Sequence, residues 1–380
     1  MITLHSNVIE DEYTAYIKEH YDFDAQRANN VSIPSFTPPK EGWNILAIIG
    51  ASGSGKSTIL NELSKSYGGV TNPSFDDRPI ISNLNLPPKE ASELLCAIGL
   101  ASVPSWCRPL KNLSNGEQYR AKLAQIISKN DISIVDEYTS VIDRNSAKAM
   151  SNALQKYIRR NNKKIILASC HYDILPFLQP DLIFDLNKGG VLERGDCLPR
   201  PSIPLRLYRT EPDTWRIFAR HHYMSAALNE SAQCFVAQWD DKPVAFVSTL
   251  TLFGRGIVDS VRVHRMVVLP DYQGLGISRQ LLSAIGGIYK NNNTKLFIKS
   301  VNPAVGFALG NDQRWKPTAH NMKFRADVDK HDWLKTKSHQ SRTSYCYQYI
   351  GPPIQGFDNL VLPIDKIRRL RSLEGQLSLF

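Results

Sequence analysis

Between Trp43 and about Asn187, short apolar runs alternate with segments whose apolar residues recur every three to four positions. Asn44-Ile45-Leu46-Ala47-Ile48-Ile49, Ile132-Ser133-Ile134-Val135 and Ile165-Ile166-Leu167-Ala168 are runs of the first kind. A strand apolar at nearly every position has both faces covered, which is the pattern of a parallel sheet between helices. An α/β domain is therefore expected over 41–195. A second α/β-type segment runs from about Leu205 to Gly351. Its clearest part is the strand Arg262–Leu269, a helix opened by Asp271–Leu282, the strand Lys295–Ile298 and a helix begun by Asn302. The ends read differently. Residues 1–40 are polar and finish in Ile33-Pro34-Ser35-Phe36-Thr37-Pro38-Pro39, an arm holding a strand or short helix. Pro199, Pro201 and Pro204 mark 196–206 as a linker. Past 351, Pro352, Pro353, Gly356 and Pro363 give a tail over 352–380. The expected order is arm (1–40), first domain (41–195), linker (196–206), second domain (207–351) and tail (352–380).

Length and composition agree with two domains: 380 residues, 42% of them hydrophobic. The net charge of +10 favours a polyanionic partner. None of the six cysteines stands in a CxxC pair or a zinc-type cluster with histidine, so they read as reduced thiols of a cytoplasmic protein. The start, MITLHSNVIEDEY, lacks a basic flank and an apolar core, so no signal peptide is expected. No run approaches the roughly 18 apolar residues of a membrane helix, and no membrane partner is expected.

The first strand feeds directly into Gly50-Ala51-Ser52-Gly53-Ser54-Gly55-Lys56-Ser57-Thr58. This is G-x-x-x-x-G-K-[ST] in its required setting of strand, loop and helix. The glycines let backbone N–H groups turn towards phosphate, Lys56 reaches the outer phosphates and Ser57 holds Mg²⁺, so ATP and Mg²⁺ are expected. Ile132–Val135 ends in Asp136 and Glu137. Asp136 is the second Mg²⁺ group and Glu137 the base that polarises water.

Between these parts lies Leu113-Ser114-Asn115-Gly116-Glu117-Gln118, and after them Ser140-Val141-Ile142-Asp143 and Ser169-Cys170-His171. In this order the sequence resembles the ABC ATPase family over about 40–190: phosphate loop, signature, Mg²⁺ strand, D-loop, switch histidine. The resemblance implies that two such domains sandwich ATP in a homodimer, with Ser114, Gly116 and Glu117 facing the partner's nucleotide and His171 the γ-phosphate. There are departures. Glu117 replaces the signature glutamine, and Tyr138 replaces the proline after the catalytic glutamate. No glutamine lies between Thr58 and Gln118, so the usual Q-loop residue is missing; Asp76, Asp77 and Asn83 are substitutes for it. Tyr21 and Phe23 are candidates for adenine stacking. The short stretch from Lys56 to Ser114 argues against a transport ATPase.

In the second segment, Met266-Val267-Val268-Leu269-Pro270 precedes Asp271-Tyr272-Gln273-Gly274-Leu275-Gly276-Ile277-Ser278. Gln273-x-x-Gly276-x-Ser278 resembles the pyrophosphate loop of GNAT acyltransferases, which implies an α+β fold, acetyl-CoA or another acyl-CoA as cofactor, and backbone N–H groups at a helix start as its anchor. A bulge-like splay near Met266–Val268 is expected to expose the strand edge to pantetheine. Within that superfamily, Phe218–Ser225 and Arg342–Tyr349 are reminiscent of the phage-associated, Mom-type DNA-modifying branch. The usual general-acid tyrosine is replaced by Leu309, leaving His222, Tyr223, His264 and Tyr345 as groups able to move a proton.

The last five residues, Gln376-Leu377-Ser378-Leu379-Phe380, resemble the pentapeptide by which replication and repair proteins hold the sliding clamp. Gln376 fixes register through its amide, while Leu377, Leu379 and Phe380 fill an apolar groove. Lys366, Arg368, Arg369 and Arg371 precede it. Two further features stand open: Arg159-Arg160-Asn161-Asn162-Lys163-Lys164 as a helix end or a phosphate-tracking surface, and Trp315 as a packed aromatic or a platform for a flipped base. Together these resemblances imply an ATP-regulated acyltransferase of nucleic acid, DNA above all, tethered to the clamp in a phage or mobile-element setting. The alternative is a GNAT-like recognition module without catalysis on a DNA-associated ATPase.

Overall fold

The computed structural model describes the chain except residues 6–8, 10, 22–29, 68–71, 196–197, 200, 223–226, 253–257, 326–341, 358–359, 361–376 and 379–380. Contacts divide it into two compact units. One comprises 1–78, 83–85 and 110–200; the other comprises 79–82, 86–109 and 201–380.

In the first unit, β1 (Ile2–His5) and β2 (Asn30–Ile33) form an antiparallel pair with Ile2 opposite Ile33, and α1 (Glu12–Tyr21) lies between them in sequence. The main sheet has the order β4-β5-β3-β6-β7, from β3 (Ile45–Ile49), β4 (Ile132–Val135), β5 (Lys164–Ser169), β6 (Leu182–Asp185) and β7 (Val191–Arg194). The first four strands of that order are parallel and β7 closes the edge antiparallel. Every residue of β3 is buried, as its unbroken apolar run requires. Ile59, Leu60 and Leu63 of α2 (Lys56–Tyr67) join Leu46, Ile48, Ile134 and Ile166 in one core. The chain leaves the buried end of β3 with only Gly50–Gly55 before α2 begins. That shortness aims the loop at the helix start.

The second unit is built on a sheet of order β13-β16-β12-β11-β10-β9-β8-β17. Its strands are β8 (Arg206–Thr210), β9 (Gln233–Trp239), β10 (Lys242–Thr251), β11 (Ser260–Val268), β12 (Lys295–Ser300), β13 (Trp315–Pro317), β16 (Tyr345–Tyr349) and β17 (Leu377–Ser378); β14 (Phe324–Arg325) and β15 (Arg342–Thr343) pair separately. β8 to β11 run as an antiparallel meander. The long helix α7 (Ile277–Asn291) then carries the chain to β12, which lies parallel to β11. Leu281, Leu282, Ile285 and Ile288, spaced as one helical stripe, pack on Phe235, Ala245, Val247 and Leu296. Two helices between the phosphate loop and the signature belong to this unit: α3 (Pro88–Ala97) and the short α4 (Val103–Trp106). α3 packs against α8 (Pro303–Gly310).

Close packing of α7 on the sheet depends on its small residues. A methyl added at Gly286 would meet the Tyr349 ring at 2.5 Å. Gly286→Ala is expected to cost about 1–3 kcal/mol of stability by overpacking. A chemical denaturation series reads it as an earlier midpoint with an unchanged slope.

Candidate functional site

In the first unit a cavity of about 550 Å³ is lined by Ser52, Gly53, Gly55, Lys56, Ser57 and Thr58 on one side and by Asp136, Glu137 and Ser140 on another. Gly53 and Gly55 hold φ of +77° and +91°, a region that only glycine enters without steric cost. Ile33 closes over the loop: a methyl at Gly55 would lie 2.6 Å from its Cδ1. Lys56 Nζ donates to the carbonyls of Gly50 (2.9 Å) and Ala51 (2.6 Å), so it is held across the mouth of the loop. Ser54 Oγ is buried with no hydrogen-bond partner. A concave loop with a basic side chain, a hydroxyl on Ser57 and an orphaned buried hydroxyl suits a polyphosphate with its metal. Asp76, Asp77 and Asn83, the substitutes for the missing glutamine, are not among the cavity's lining. Asp76 pairs with Arg78 and Asp77 with Lys111. Asn83 is buried, accepting from the Asp76 N–H and donating to the Arg78 carbonyl. Tyr21 is exposed on α1, and Phe23 lies outside the described residues.

β4 delivers Asp136 and Glu137 to the exposed end of the sheet. The Glu137 N–H donates to Asp136 Oδ1 at 2.8 Å. Glu137 has φ of +48° and Thr139 of +70°, a left-handed conformation that costs non-glycine residues of order 1–3 kcal/mol. Tyr138 anchors that turn. Its N–H donates to the Ala168 carbonyl, and its fully buried hydroxyl meets Ser151 Oγ at 3.0 Å. A tyrosine in place of proline thus fills the core below the carboxylates.

His171 follows β5. Its Nδ1 lies 2.9 Å from Arg144 Nη1 and 3.1 Å from Thr139 Oγ1. Arginine can only donate, so Nδ1 accepts and the imidazole proton sits on Nε2. Arg144, the first residue of α6 (Arg144–Arg160), is itself paired with Asp173. Burial, and then the Arg144 charge, hold the His171 pKa below its ordinary value, against a smaller opposing pull from Asp173. Neither Thr139 nor Arg144 was marked by a motif in the sequence.

The signature segment caps α5 (Asn115–Lys129). Ser114 is its N-cap and Glu117 completes a capping box: the Glu117 carboxylate accepts from the Ser114 N–H (3.0 Å) and from Ser114 Oγ (2.9 Å). Glu117 therefore stabilises its own helix and occupies the serine hydroxyl. From further along α5, Gln125 bonds both polar groups of the Ser74 backbone and the Asn83 carbonyl.

In the second unit, β11 and β12 pair only from Ser260↔Lys295 to Arg262↔Phe297. Beyond that point β12 continues against β16 and β11 against β10. The β11 edge from Val263 to Val268 is thereby released from its parallel neighbour, opening the sheet. The register of β10 against β11 shifts between Thr249↔Val263 and Ser248↔Arg265, leaving His264 as the bulged residue. The bulge lies just before the Met266–Val268 stretch near which a splay was expected; those three residues stay in register with Val247, Phe246 and Ala245 of β10. Gly274 and Gly276 carry φ of +95° and +83°, and Gly276 caps α7 with open space where a Cβ would stand. The first N–H groups of α7, at Ile277 and Ser278, point out of the helix start beside Leu275, as helix geometry dictates. Gln273 Nε2 donates to the Val268 carbonyl at 2.8 Å, bracing the loop on the released strand, and its Oε1 accepts from the Ala101 N–H at 3.1 Å. An open strand edge ending at a glycine-rich helix start suits an extended amide chain with a diphosphate at one end.

Leu309 is buried in the core. Of the groups left open for proton work, Tyr223 lies outside the described residues. Tyr345 packs beside the second unit's core, and His222 stacks edge-on with Trp215. His264 Nε2 accepts the Asn229 N–H at 3.4 Å. Burial first, then the charges of Arg265, Arg262 and His222, push its pKa down to about 4. A histidine neutral in the folded chain and ordinary when unfolded makes the unfolded form bind more protons below pH 6.5. The stability of the second unit is thus expected to fall as pH drops from about 6.5 to about 4, and His264→Gln to flatten that slope in urea titrations at several pH values.

One sequence alternative is resolved. Trp315 is buried, donating from Nε1 to Ser283 Oγ (3.0 Å) and meeting Tyr349 edge-on; it is a core residue and not a platform for a flipped base. In the basic turn, Arg159 pairs with Asp181, Lys163 donates to the Asn130 carbonyl, and Lys164 donates to the Lys40 carbonyl and lies over the Trp43 ring. Arg159, Lys163 and Lys164 thus each have a partner within the fold. At the tail, Leu377 and Ser378 pair antiparallel with Leu207 and Arg206 as β17, while Gln376, Leu379, Phe380 and the basic stretch before them lie outside the described residues. Among the described residues, Cys96, Cys107, Cys170, Cys234 and Cys346 are free thiols, no cluster of three or more acidic, histidine or cysteine side chains is placed to hold a metal ion, and no helix is long and apolar enough to cross a membrane.

Residues 230–308 match the family model of the acetyltransferase (GNAT) domain. Curated relatives match parts of the chain. ABC transporter B family member 3 of Dictyostelium discoideum is 25% identical over 220 residues, 46% of this chain and 15% of that protein. The ribosome protection protein VmlR of Bacillus subtilis is 28% identical over 134 residues, 30% of this chain and 24% of its own. The iron-sulfur cluster assembly protein SufC of Plasmodium falciparum is 34% identical over 92 residues, 23% of this chain and 26% of its own. The chain thus spans about a seventh of the length of the first of these relatives. Among solved structures, cbiO1 of Clostridium perfringens, part of an ABC transporter complex, matches at 18% identity and a TM-score of 0.34, covering 44% of this chain and 80% of that one. The ATP-binding cassette MJ0796 in a dimeric, post-hydrolysis state with ADP and Pi matches at 20% identity and a TM-score of 0.33, covering 43% and 88%.

Proposed function

We propose that this chain, which joins an ABC-type ATPase domain to a GNAT acetyltransferase domain, is an ATP-regulated N-acyltransferase that modifies nucleic acid, a DNA base above all. The observation that carries the acyl-transfer reading is the release of the β11 edge after Arg262↔Phe297, directly ahead of the glycine turn that caps α7. An acyl-CoA supplies an activated thioester carbonyl when bound there. The backbone from Val263 to Val268 orients the donor, and the α7 start holds its diphosphate. The acceptor class follows from charge: +10 overall favours a polyanion. The tail reading deepens it, with the sliding clamp as partner; Leu377 and Ser378 must leave β8 to enter a clamp groove, since one strand edge cannot serve both.

In the first unit, the loop Gly50–Thr58 with Lys56 binds the phosphates of ATP. Ser57 and Asp136 hold Mg²⁺, Glu137 takes the proton of the attacking water, and His171, protonated on Nε2, presents a donor to the outer phosphate. Two copies close on ATP, each placing Ser114 and Gly116 at the other's nucleotide. The Glu117 carboxylate, bonded to Ser114 Oγ at 2.9 Å, then sets a negative charge near polyphosphate. Glu117→Gln keeps an acceptor for the Ser114 N–H and removes that charge. It is expected to raise the dimer fraction at a given ATP concentration several-fold, which sedimentation velocity with a hydrolysis-deficient Glu137→Gln background would read.

One observation favours a second reading. Leu309 occupies the position of the family's general-acid tyrosine and is buried; in this second reading the domain recognises without transferring. Calorimetric titration with acetyl-CoA and desulfo-CoA separates the readings: binding of both supports a working donor site, and binding of neither leaves a recognition module.

A further inference from the structure

The stretch 86–109 lies in sequence between the phosphate loop and the signature, yet it folds as part of the second unit. Ala91, Leu94, Leu95, Ile98 and Leu100 are buried there, and α3 packs on α8, the helix opened by Asn302. The turn after α3 is fixed from within: Trp106 Nε1 donates to the Leu100 carbonyl at 2.6 Å. The next residue, Ala101, donates its N–H to Gln273 Oε1 at 3.1 Å, while the same amide's Nε2 grips the Val268 carbonyl at 2.8 Å. Gln273 thus ties three things together: the released strand β11, the glycine turn before α7, and the 86–109 stretch. The chain on either side of the stretch belongs to the first unit. Residues 83–85 belong there, and Gln125 of the signature helix α5 donates to the Asn83 carbonyl at 2.9 Å. Pro109 is followed within a few residues by Ser114, the cap of that same helix.

We propose that 86–109 couples the two activities, with Gln273 as the positioning residue through which nucleotide bound in the first unit sets the Pro270–Ser278 loop for its acyl donor. The inference rests on the acyl-donor reading of that loop. Nucleotide held between the phosphate loop and a partner's signature steadies α5. α5 steadies Asn83 and the chain on both sides of 86–109, and Ala101 then holds Gln273 in place. A loop fixed in advance loses less entropy on binding. By linkage, ATP and acyl-CoA each tighten the other's binding by the same factor.

The test uses the full chain carrying Glu137→Gln, so that ATP persists, and follows amide hydrogen exchange of peptides covering Gly50–Ser57 and Pro270–Ser278. Magnesium ATP is expected to slow exchange in both, by about five-fold or more in the second. Ala101→Pro removes the N–H that reaches Gln273; it is expected to keep the protection of Gly50–Ser57 and to lose that of Pro270–Ser278. Gln273→Leu, which leaves the 86–109 backbone intact, is expected to lose the loop's response as well, and it decides the matter should the proline variant not fold. Loop exchange indifferent to ATP while Gly50–Ser57 is protected overturns the proposal, as does a response that survives both substitutions. A separate arm adds acetyl-CoA alone. If ATP slows the loop and acetyl-CoA does not, the acyl-donor reading falls and the coupling stands.

Discussion

Glu137→Gln is expected to lower ATP turnover by about 10²–10⁴-fold while leaving ATP binding in place. The geometry explains both halves. β4 ends in two carboxylates, and only one of them is committed locally: Asp136 Oδ1 accepts the Glu137 N–H. Glu137 is held at φ of +48° by a turn whose next residue, Tyr138, is buried and bonded to Ser151. That arrangement aims an exposed carboxylate at the cavity of Ser52–Thr58 and Asp136. A glutamine keeps the shape and the hydrogen-bonding oxygen but cannot accept the proton from water. Steady-state phosphate release measures the turnover, and equilibrium binding of a fluorescent ATP analogue measures retention. A loss of less than tenfold would move the base to another residue.

Gly276→Glu is expected to abolish acyl-CoA binding while the second unit stays folded. Gly276 sits at φ of +83° with nothing near a built Cβ, so the substitution meets no clash. Its steric cost is the left-handed backbone alone, about 1–2 kcal/mol. Its functional cost is larger. A carboxylate at the cap of α7 stands where the helix start offers N–H groups and a positive dipole end to a diphosphate. Gly276→Ala carries the same backbone strain without the charge, so it is expected to weaken binding by about tenfold, against no detectable binding for the glutamate. Acetyl-CoA titration beside a thermal melt of each variant distinguishes a lost site from a lost fold.

The buried strands were legible in the sequence because a parallel sheet requires apolar residues at consecutive positions, and Ile45–Ile49 and Ile165–Ala168 meet that requirement without exception. The phosphate loop was legible because its chemistry is local: turn glycines, a lysine and a hydroxyl in one short run. The same holds for Gln273–Ser278 at the start of α7. What escaped depends on contacts distant in sequence. Nothing near Ile33 announces that it closes over Gly55. Arg144 reads as an ordinary first-turn arginine until the fold sets it 2.9 Å from His171. Asp76, Asp77 and Asn83 look available as metal ligands in sequence, and each is engaged with a neighbour in the structure. Trp315 was readable either as a packed aromatic or as an open platform, and long-range contacts decide for the first by burying the indole against Ser283 and Tyr349. The 86–109 stretch is the largest such case. Its apolar residues satisfy a helical stripe equally well in either unit, so its pattern carries no address.

The most direct test of the account is nucleoside mass spectrometry on DNA and RNA from cells expressing the wild-type chain, Glu137→Gln or Gly276→Glu. The account predicts an acylated deoxynucleoside with the wild type, its absence with Gly276→Glu, and a reduced yield with Glu137→Gln. No adduct in either nucleic acid, from a chain shown to be folded and to bind ATP, would contradict it.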